Sequence, residues 1–357
     1  MNIAKATRKY EGWMAGHCAI VPGDLRTKHR LMRRNVFTFF RGAFYRWMQL
    51  WPSVCPDVAD APTVTAVGDL HVENFGTWRD VEGRLAWGVN DFDECARLPY
   101  TNDLVRLMTG ALLAARGGSL RLSERAICRS ILEGYGWCLF EGGNPFVFDG
   151  HYRPLHRAVT EGRTPPAAFW RKLKALPAAS GHAVDRRARK ALLAALPDGA
   201  SDVRFKRRTA GVGSLGRPRI VALATWEGGL VAREAKATVP SAAVWTRDAK
   251  HPGKPEATVD HAIRSTDPTL TFRRKWIVRR LSPECARIEL TDLPRKRDER
   301  QLLRAMGVET ANVHLGDRDS TRDIRADLQH RSRKAFERAA GLMVEAMKAD
   351  WRAYRRR

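Results

Sequence analysis

Apolar and aromatic residues recur at helical spacing through residues 31–51, LMRRNVFTFFRGAFYRWMQLW. The pattern predicts an amphipathic helix that Gly42 interrupts, because glycine is a poor helix former. Pro52 and Pro56 follow, and we expect them to stop the helix because proline has no N–H to donate.

Helical spacing returns over residues 104–116, where a pair of glycines closes the helix. A further helix is predicted from the capping residue Ser123 through Phe140, ended by another glycine pair. Residues 150–200 are rich in Pro, Ala and Arg and predict helical connecting structure. From Glu299 onward the pattern is helical again and ends in a long helix rich in Arg and Ala.

Four segments predict strands. TVTAVGDL (63–70) is rich in β-branched residues and indicates a short buried strand that runs into a loop. RLAWGVNDFDE (84–94) indicates a second strand that ends in an acidic cluster. RIVALATWEGGLVAREAKA (219–237) holds two strand-like runs around an EGG turn, which predicts a hairpin, and WIVRRL (276–281) adds another strand.

The order of these elements predicts an α+β fold with two lobes. A helical lobe covers residues 1–204, a β-rich lobe covers residues 205–282, and residues 283–357 form helices that return to the helical lobe. With 357 residues, of which 44% are hydrophobic and 29% charged, the chain has the length and composition of a globular protein with a substantial core.

Several classes of protein are disfavoured by composition. No stretch approaches 18 uninterrupted apolar residues, and the first residues lack the apolar segment of a secretory signal. We therefore expect a cytoplasmic protein without a membrane span. The six cysteines are scattered without a CxxC pair, which predicts buried thiols rather than zinc ligands or disulfides.

The chain is strongly basic, with 63 Lys and Arg against 39 Asp and Glu and a net charge of +24. Such a charge favours anionic partners such as nucleic acid, phosphorylated ligands or an anionic membrane surface. The basic residues are spread along the whole chain, however, and codon bias alone produces that pattern. A nucleic-acid partner is therefore an alternative rather than the favoured interpretation.

The segment GDLHVENFG (68–76) carries the richest candidate chemistry. Asp69 and Asn74 stand five residues apart with His71 between them. A carboxylate that orients a hydroxyl and an amide oxygen that binds a metal suit phosphoryl transfer from a nucleotide. A polar loop with an Asx-turn is the alternative.

A second acidic segment, NDFDE, ends the strand that follows. Asp91 lies 22 residues after Asp69, with Asp93 and Glu94 beside it. Clustered carboxylates repel one another unless cations neutralise them, and Mg²⁺ prefers oxygen ligands of this kind. The segment therefore indicates a magnesium site, with a solvated acidic turn as the alternative.

The segment AGVGSLGRPRIVAL contains a GxGxxG pattern formed by Gly211, Gly213 and Gly216, with Ser214 inside it. A dinucleotide-binding fingerprint would be followed by a helix, but the run RIVAL that follows predicts a strand. A glycine-rich loop between two strands is instead the arrangement of protein kinases, in which backbone amides cover the nucleotide phosphates.

The next strand should carry a lysine for those phosphates. In LVAREAKAT, strand alternation places Lys236 and Glu234 on one face and Arg233 on the other. Only Lys236 or Arg233 can then face the cleft. We favour Lys236, whose compact ammonium suits a single phosphate contact.

Together these segments resemble the aminoglycoside-phosphotransferase branch of the protein-kinase-like fold, whose motifs read HGDLHxxN, IDFxD and a DLA-type helix start. The resemblance implies that Asp69 is the catalytic residue and that Asn74 and Asp91 bind the metal. It also implies that Asp103, before the helix DLVRL, braces the catalytic loop. Val67 stands where that motif has His.

The closer resemblance is to a bacterial domain-of-unknown-function family, number 2252, and it extends from about Asn35 to Gly316. That family shares an RGA segment (FFRGAFYRW, with Arg41), GDxHxxNFG, NDFDE, a GVGSxG loop and a strand with an REAK or KEA element.

The glycine-rich loop follows Asp69 in this chain, whereas in kinases it comes first, so the resemblance implies a circularly permuted fold. The helical segment 300–316 should then pack close to residues 60–68.

The favoured hypothesis is an ATP-dependent phosphotransferase that uses Mg²⁺, with Lys236 and the glycine-rich loop on the phosphates and Asp69 on the acceptor hydroxyl. Arg41 and Arg279 are secondary candidates for binding phosphate. A nucleotide-binding regulator without turnover and a basic nucleic-acid-binding protein are the alternatives. The sequence leaves the acceptor open.

Overall fold

The computed structural model describes residues 1–148, 155–157, 160, 164–179, 184–246, 253–285, 290 and 296–356. In this part of the chain the fold is α+β, with helices and three antiparallel sheets of two, three and five strands. The predicted helical connection over residues 150–200 lies partly outside the described residues.

The first part of the chain is mostly helical. Its helices are α1 (Ile3–Ala15), α2 (Pro22–Arg34), α3 (Val36–Gly42), α4 (Phe44–Val54), α5 (Pro56–Ala59), α6 (Tyr100–Arg116) and α7 (Glu124–Glu141). Its strands are β1 (Thr63–Ala66), β2 (Phe75–Arg79), β3 (Leu85–Val89), β4 (Ala96–Pro99) and β5 (Phe146–Val147).

The second part contains the large sheet. Its strands are β6 (Ser201–Arg207), β7 (Arg219–Trp226), β8 (Gly229–Ala237), β9 (Thr271–Arg273) and β10 (Trp276–Leu281). Its helices are α8 (Pro166–Lys174), α9 (Arg186–Ala194), α10 (Ala242–Thr246), α11 (Pro255–His261), α12 (Lys296–His314), α13 (Arg318–His330) and α14 (Arg333–Arg355).

The predicted helix over residues 31–51 is divided between α2, α3 and α4. The interruption at Gly42 is confirmed, because Ala43 leaves the helical region and separates α3 from α4. A second break falls at Asn35, whose extended backbone ends α2 while its Oδ1 accepts the Thr38 N–H at 2.7 Å and caps α3.

The prediction that Pro52 stops the helix is wrong, since α4 runs through it to Val54. Pro52 lies in the last turn, where its missing N–H removes one intrahelical hydrogen bond and little helix remains to disrupt. Pro56 opens α5, the position at which proline is best tolerated.

The five-stranded sheet has the strand order β6-β7-β8-β10-β9 and is antiparallel throughout. The predicted hairpin is confirmed, because β7 and β8 pair up to Trp226 and Gly229. The two turn residues, Glu227 and Gly228, have φ of 45° and 78°, and positive φ at both positions is what a type I′ turn requires.

The two faces of this sheet pack differently. On one face, α9 covers an apolar cluster that includes Ala188, Leu192, Ile220, Ala222 and Ala235. On the other face, α8 covers the end near the β7–β8 turn, where Leu173 packs with Val221, Leu223, Ala232 and Leu281. The rest of that second face is turned toward the helical part of the molecule.

The main core unites helices from both ends of the chain, with Trp47, Trp51, Tyr135 and Phe336 among its largest buried side chains. Within it, α7 and α12 come into backbone contact at two glycines. A Cβ at Gly134 would lie 1.9 Å from the Arg304 carbonyl oxygen, so only glycine permits this approach. Likewise, a Cβ at Gly307 would lie 2.1 Å from the Ile131 carbonyl oxygen.

The predicted proximity of segment 300–316 to residues 60–68 is confirmed. Helix α12 packs against β1, and Asp317 just beyond it accepts the Thr65 N–H at 2.9 Å. His314, the last residue of α12, places its Nε2 3.2 Å from Oδ2 of Asp103.

The prediction of buried thiols is correct for four of the six cysteines. Cys55, Cys95, Cys128 and Cys138 are buried free thiols, whereas Cys18 is half-buried and Cys285 lies at the surface. Among the helices in the described ranges, none combines the length and the apolar character needed to cross a membrane.

Candidate functional site

A cavity of about 110 Å³ lies between the helical part of the molecule and the five-stranded sheet. Most of the residues that the sequence singled out line it, although they come from segments far apart in the chain. These residues are Arg41, Asp69, His71, Asn74, Asp91, Asp93, Glu94, Gly211, Gly213, Ser214 and Arg279.

The loop that carries Asp69 is fixed at its start by Asp103. This fully buried carboxylate accepts the Val67 N–H at 2.7 Å and the Gly68 N–H at 2.9 Å. Gly68 has φ of +82°, and a Cβ there would lie 2.2 Å from the Glu94 carbonyl oxygen. The loop conformation therefore depends on glycine at 68 and on an acceptor at 103, which is the bracing contact that the resemblance implied.

Asp69 is held by one carboxylate oxygen. Its Oδ1 accepts from Nε and Nη2 of Arg106 at 2.9 and 2.5 Å. Arg106 comes from α6, is fully buried and lies 4.1 Å from the centroid of the Phe40 ring. Oδ2 of Asp69 points under the glycine-rich loop, where a Cβ at Gly213 would lie 3.5 Å away.

Asn74 ties the two acidic loops together. Its Nδ2 donates to the backbone oxygens of Asp69 at 3.2 Å and Asp91 at 3.0 Å. Because the nitrogen makes both contacts, Oδ1 is the atom of this side chain that remains for a metal. His71 is buried beside it and accepts the Glu73 N–H on Nδ1 at 3.2 Å, which places the ring proton on Nε2.

Asp91 and Asp93 share the ammonium group of Lys236, with Nζ–Oδ2 distances of 2.6 Å to each. Although burial alone would raise it, the Lys236 charge and the more distant Arg279 hold the pKa of Asp91 below its usual range. The pKa of Asp93 is raised by its burial and by the neighbouring charge of Asp91.

The predicted alternation along β8 is confirmed, and Lys236 rather than Arg233 is on the side of the acidic loops. Lys236 does not line the cavity itself but lies buried behind Asp91 and Asp93. Arg233 lies on the opposite face, where its Nε donates to the Ala195 carbonyl oxygen at 2.8 Å. It therefore lies outside the candidate site. Glu234 shares the face of Lys236 but is fully buried and paired with arginines.

Glu94 lines the cavity, and its carboxylate also contacts Arg217 and the start of α10. Its Oε1 lies 3.3 Å from Nη2 of Arg217, and its Oε2 accepts the Ala242 N–H at 2.7 Å, where α10 begins. Its burial raises its pKa to about 7, against the opposing charge of Arg217. Glu94 thus joins the acidic segment to the chain that leaves the large sheet.

The glycine-rich loop runs between β6 and β7, as predicted. Gly211 has φ of +72°, and its carbonyl oxygen accepts the Ser214 N–H at 3.1 Å, which closes a tight turn over the cavity. Lys28 of α2 is buried and donates to the Gly213 carbonyl oxygen at 3.0 Å. Gly216 lies away from the cavity, because its carbonyl oxygen accepts the Val21 N–H at 2.8 Å.

Two candidate arginines lie on opposite walls of the cavity. Arg41 at the end of α3 pairs with Glu73, with an Nη1–Oε2 distance of 2.7 Å. Arg279 of β10 contacts Glu234 more loosely, at 3.4 Å between Nη2 and Oε1. Arg41 thus forms a salt bridge and also lines the cavity.

Sequence reasoning missed five basic residues that the structure brings to the site or its supports, namely Lys28, Arg106, Arg208, Arg217 and Arg219. Two of them had a local signal. Arg217 and Arg219 flank Pro218 directly after the glycine-rich loop, and Arg219 lies opposite Lys236 in the β7–β8 register, on the same face.

Several guanidinium nitrogens at the cavity have no partner. Nε of Arg41, Arg217 and Arg219 is buried without a hydrogen bond, and buried donors are normally paired. These unpaired donors suit an anionic ligand. No group of three or more His, Cys, Asp or Glu side chains within the described ranges is placed to hold a metal ion, so a metal would need ligand oxygens as well.

The fold and this cavity define an α+β protein with a charged cleft between a helical body and an antiparallel sheet. The sequence matches the family described as "Uncharacterized protein conserved in bacteria (DUF2252)" over residues 20–143 and 183–357. The chain belongs to this family. Comparison with curated proteins and with solved structures gives no match.

Proposed function

We propose that the protein is an ATP-dependent phosphotransferase with a circularly permuted, kinase-like two-lobed fold, acting on a hydroxyl acceptor. One observation carries the proposal: the glycine-rich loop covers Asp69, although the two lie more than a hundred residues apart in the chain. The sheet supports it further, because the loop joins the first two strands and Lys236 lies on the third, as in protein kinases.

In this function the chain's own residues would position the substrates and neutralise the charge of the phosphates. Oδ2 of Asp69 would orient the acceptor hydroxyl and accept its proton, while Arg106 holds Oδ1 in place. Lys236 would contact a phosphate from beside Asp91. Arrangements of this kind stabilise phosphoryl transfer with little covalent chemistry by the protein.

The residues present fit Mg²⁺. Oδ1 of Asn74 and the carboxylate of Asp91 are hard oxygen ligands on adjoining loops, and magnesium commonly takes one or two protein ligands together with substrate phosphates. When bound, the ion would neutralise charge on the phosphates. The unpaired donors of Arg217 and Arg219 in the same cavity suit those phosphates.

The cleft must open to admit a nucleotide. Its volume of about 110 Å³ is well below the roughly 300 to 1,000 Å³ of typical small-molecule sites. The contact of Lys28 with the Gly213 carbonyl oxygen is one of those that hold the glycine-rich loop down. We expect nucleotide binding to lift this loop away from Asp69.

Calorimetric titration of ATP, with and without Mg²⁺, tests the proposal on the wild type, on Asp91→Ala and on Asp323→Ala. Asp323 is an exposed carboxylate on α13, so its variant controls for the loss of one charge. We expect magnesium-dependent binding that weakens at least tenfold in Asp91→Ala and is unchanged in Asp323→Ala. Absence of binding by folded wild type, or equal binding by all three proteins, would overturn the proposal.

A nucleotide-binding regulator without turnover is the second candidate. The hold of Arg106 on Asp69 favours it, because the guanidinium already occupies Oδ1 of this carboxylate with two N–H groups and leaves only Oδ2 for an acceptor hydroxyl. Single-turnover assays with bound ATP distinguish the two. Transfer or release of phosphate supports the enzyme, whereas binding without either supports the regulator.

A further inference from the structure

The part of the cleft formed by the sheet holds three arginines around one carboxylate. Arg208, Arg219 and Arg279, called the arginine trio below, all contact the carboxylate of Glu234. The shortest N–O distances are 2.5 Å from Arg208, 2.7 Å from Arg219 and 3.4 Å from Arg279. Arg208 directly follows β6, Arg219 begins β7 and Arg279 belongs to β10.

This cluster carries an excess of positive charge. Burial alone would raise the pKa of Glu234, but the arginine trio holds it well below its usual range, so the carboxylate is ionised. Three guanidinium groups around one carboxylate leave two positive charges. The charge of Asp91 also acts on Arg219 and Arg279, but Asp91 is already paired with Lys236.

The excess charge faces the cavity. All three members of the arginine trio line it, whereas Glu234 lies behind them and is fully buried. Nε of Arg219 is buried and has no hydrogen-bond partner, on a residue that is only 6% exposed. A preorganised, incompletely paired guanidinium cluster is suited to a phosphate group.

The cluster and Lys236 are paired with different acids, Glu234 for the cluster and Asp91 with Asp93 for Lys236. Glu234 and Lys236 are two residues apart on β8 and share a face, which puts them about 7 Å apart along the strand. Arg219 itself lies opposite Lys236 in the β7–β8 register, so the two positions adjoin. Beyond the arginine trio, the same face is covered by α8 through Leu173, so it offers no open apolar surface next to the cluster.

From these observations we infer that the arginine trio is a second phosphate subsite beside Lys236, so that the cleft binds a ligand with two anionic groups. The inference deepens the proposed function and rests on it for the use of the cleft in phosphoryl transfer. The phosphate at the arginine trio comes either from the far end of a nucleotide's phosphate chain or from a phosphorylated acceptor.

Titration with inorganic phosphate and with tripolyphosphate at constant ionic strength tests the subsite. Arg208→Gln and Arg279→Gln each remove one of three partners of Glu234, and both side chains are partly exposed, at 29% and 23%. Arg207→Gln and Arg280→Gln are matched controls, because each removes one charge from the adjacent position on the opposite face of the same strand.

We expect both trio variants to weaken the binding of either probe at least tenfold, and both controls to change it less than twofold. Circular dichroism and thermal unfolding establish that each variant is folded. If only one of the two trio variants folds, that variant alone is enough to test the subsite. Equal affinity across all four variants, or no binding of either probe to wild type, would overturn the inference.

A second pair of titrations separates the sources of the phosphate. If the subsite holds a nucleotide phosphate, saturating ATP with Mg²⁺ abolishes phosphate binding, and Arg279→Gln weakens ATP as well. If it holds a phosphorylated acceptor, inorganic phosphate still binds to the ATP-saturated protein. Trio-dependent phosphate binding in a protein that does not bind ATP would support the subsite while rejecting the proposed function.

Discussion

Replacing Asp103 with asparagine tests the contact that fixes the loop carrying Asp69. The change keeps the size of the side chain but turns one acceptor oxygen into a donor. Either the Val67 N–H or the Gly68 N–H, at 2.7 and 2.9 Å from the carboxylate, then faces an N–H group. Asp103 and its surroundings are buried, so water cannot replace the lost acceptor.

The magnitude follows from these two hydrogen bonds. Hydrogen bonds to a charged group contribute about 1.5 to 3 kcal/mol each, and breaking one partner of a buried charged network costs about 3 to 5 kcal/mol. The contact of Asp103 with Nε2 of His314, at 3.2 Å, is weakened as well. We therefore expect Asp103→Asn to lower the free energy of unfolding by roughly 3 kcal/mol.

Urea unfolding, followed by tryptophan fluorescence and by circular dichroism, measures this loss. The midpoint should fall while the slope stays constant, since the extent of burial in the native fold is unchanged. Asp323→Asn, at an exposed carboxylate, should alter stability by less than about 0.5 kcal/mol. A loss in Asp103→Asn no larger than in this control would refute the bracing role.

Three further outcomes are expected. Lys28 has its pKa lowered from 10.5 to about 8 by burial, so the native state binds fewer protons than the unfolded state between these values. In urea titrations, the free energy of unfolding of wild type relative to that of Lys28→Met should therefore rise by up to about 3 kcal/mol from pH 8 to 10.5. Profiles of unfolding free energy against pH that run parallel for the two proteins would contradict this. The control is Lys5→Met, at an exposed lysine. In thermal unfolding, Gly68→Ala should destabilise the protein far more than Gly83→Ala, although both glycines have positive φ. A Cβ at residue 68 would lie 2.2 Å from the Glu94 carbonyl oxygen, whereas a Cβ at residue 83 would have nothing within 4 Å. If the proposed phosphotransferase function holds, Asp69→Asn should lower phosphate transfer at least 100-fold with nucleotide affinity unchanged, as measured by single-turnover kinetics and calorimetry. Transfer at the wild-type rate would remove Asp69 from the reaction.

Local signals were sufficient for the turns and for many of the helix ends. The β7–β8 hairpin was predicted because its EGG turn supplies residues that adopt positive φ. The start of α7 was predicted because Ser123 caps it, with Oγ accepting the Ala126 N–H at 3.3 Å. The prediction for Pro52 failed because the effect of a proline depends on its place in the helix. The packing that sets where α4 ends involves residues distant in the sequence.

The acidic half of the candidate site was predictable, and the basic half was not. Asp69, Asn74 and Asp91 stand in short segments whose spacing suggests their chemistry. The basic residues lie in a chain with 63 Lys and Arg, so one more arginine carries no signal of its own. Contacts such as that of Lys28 with Gly213 join residues 185 positions apart and follow only from the fold.

The backbone contact between α7 and α12 has a consequence for folding during synthesis. The 154 residues from 142 to 295 separate the two helices, so α7 waits for its partner while they are translated. At ribosomal speeds of about 5 to 20 residues per second this takes roughly 8 to 30 s. The antiparallel strands between them pair mostly with near neighbours in the chain and can form in that interval. On this order of events the helical core closes last, after the large sheet is already built, and Asp103, which fixes the loop that carries Asp69, gains its contact with His314 only when α12 docks.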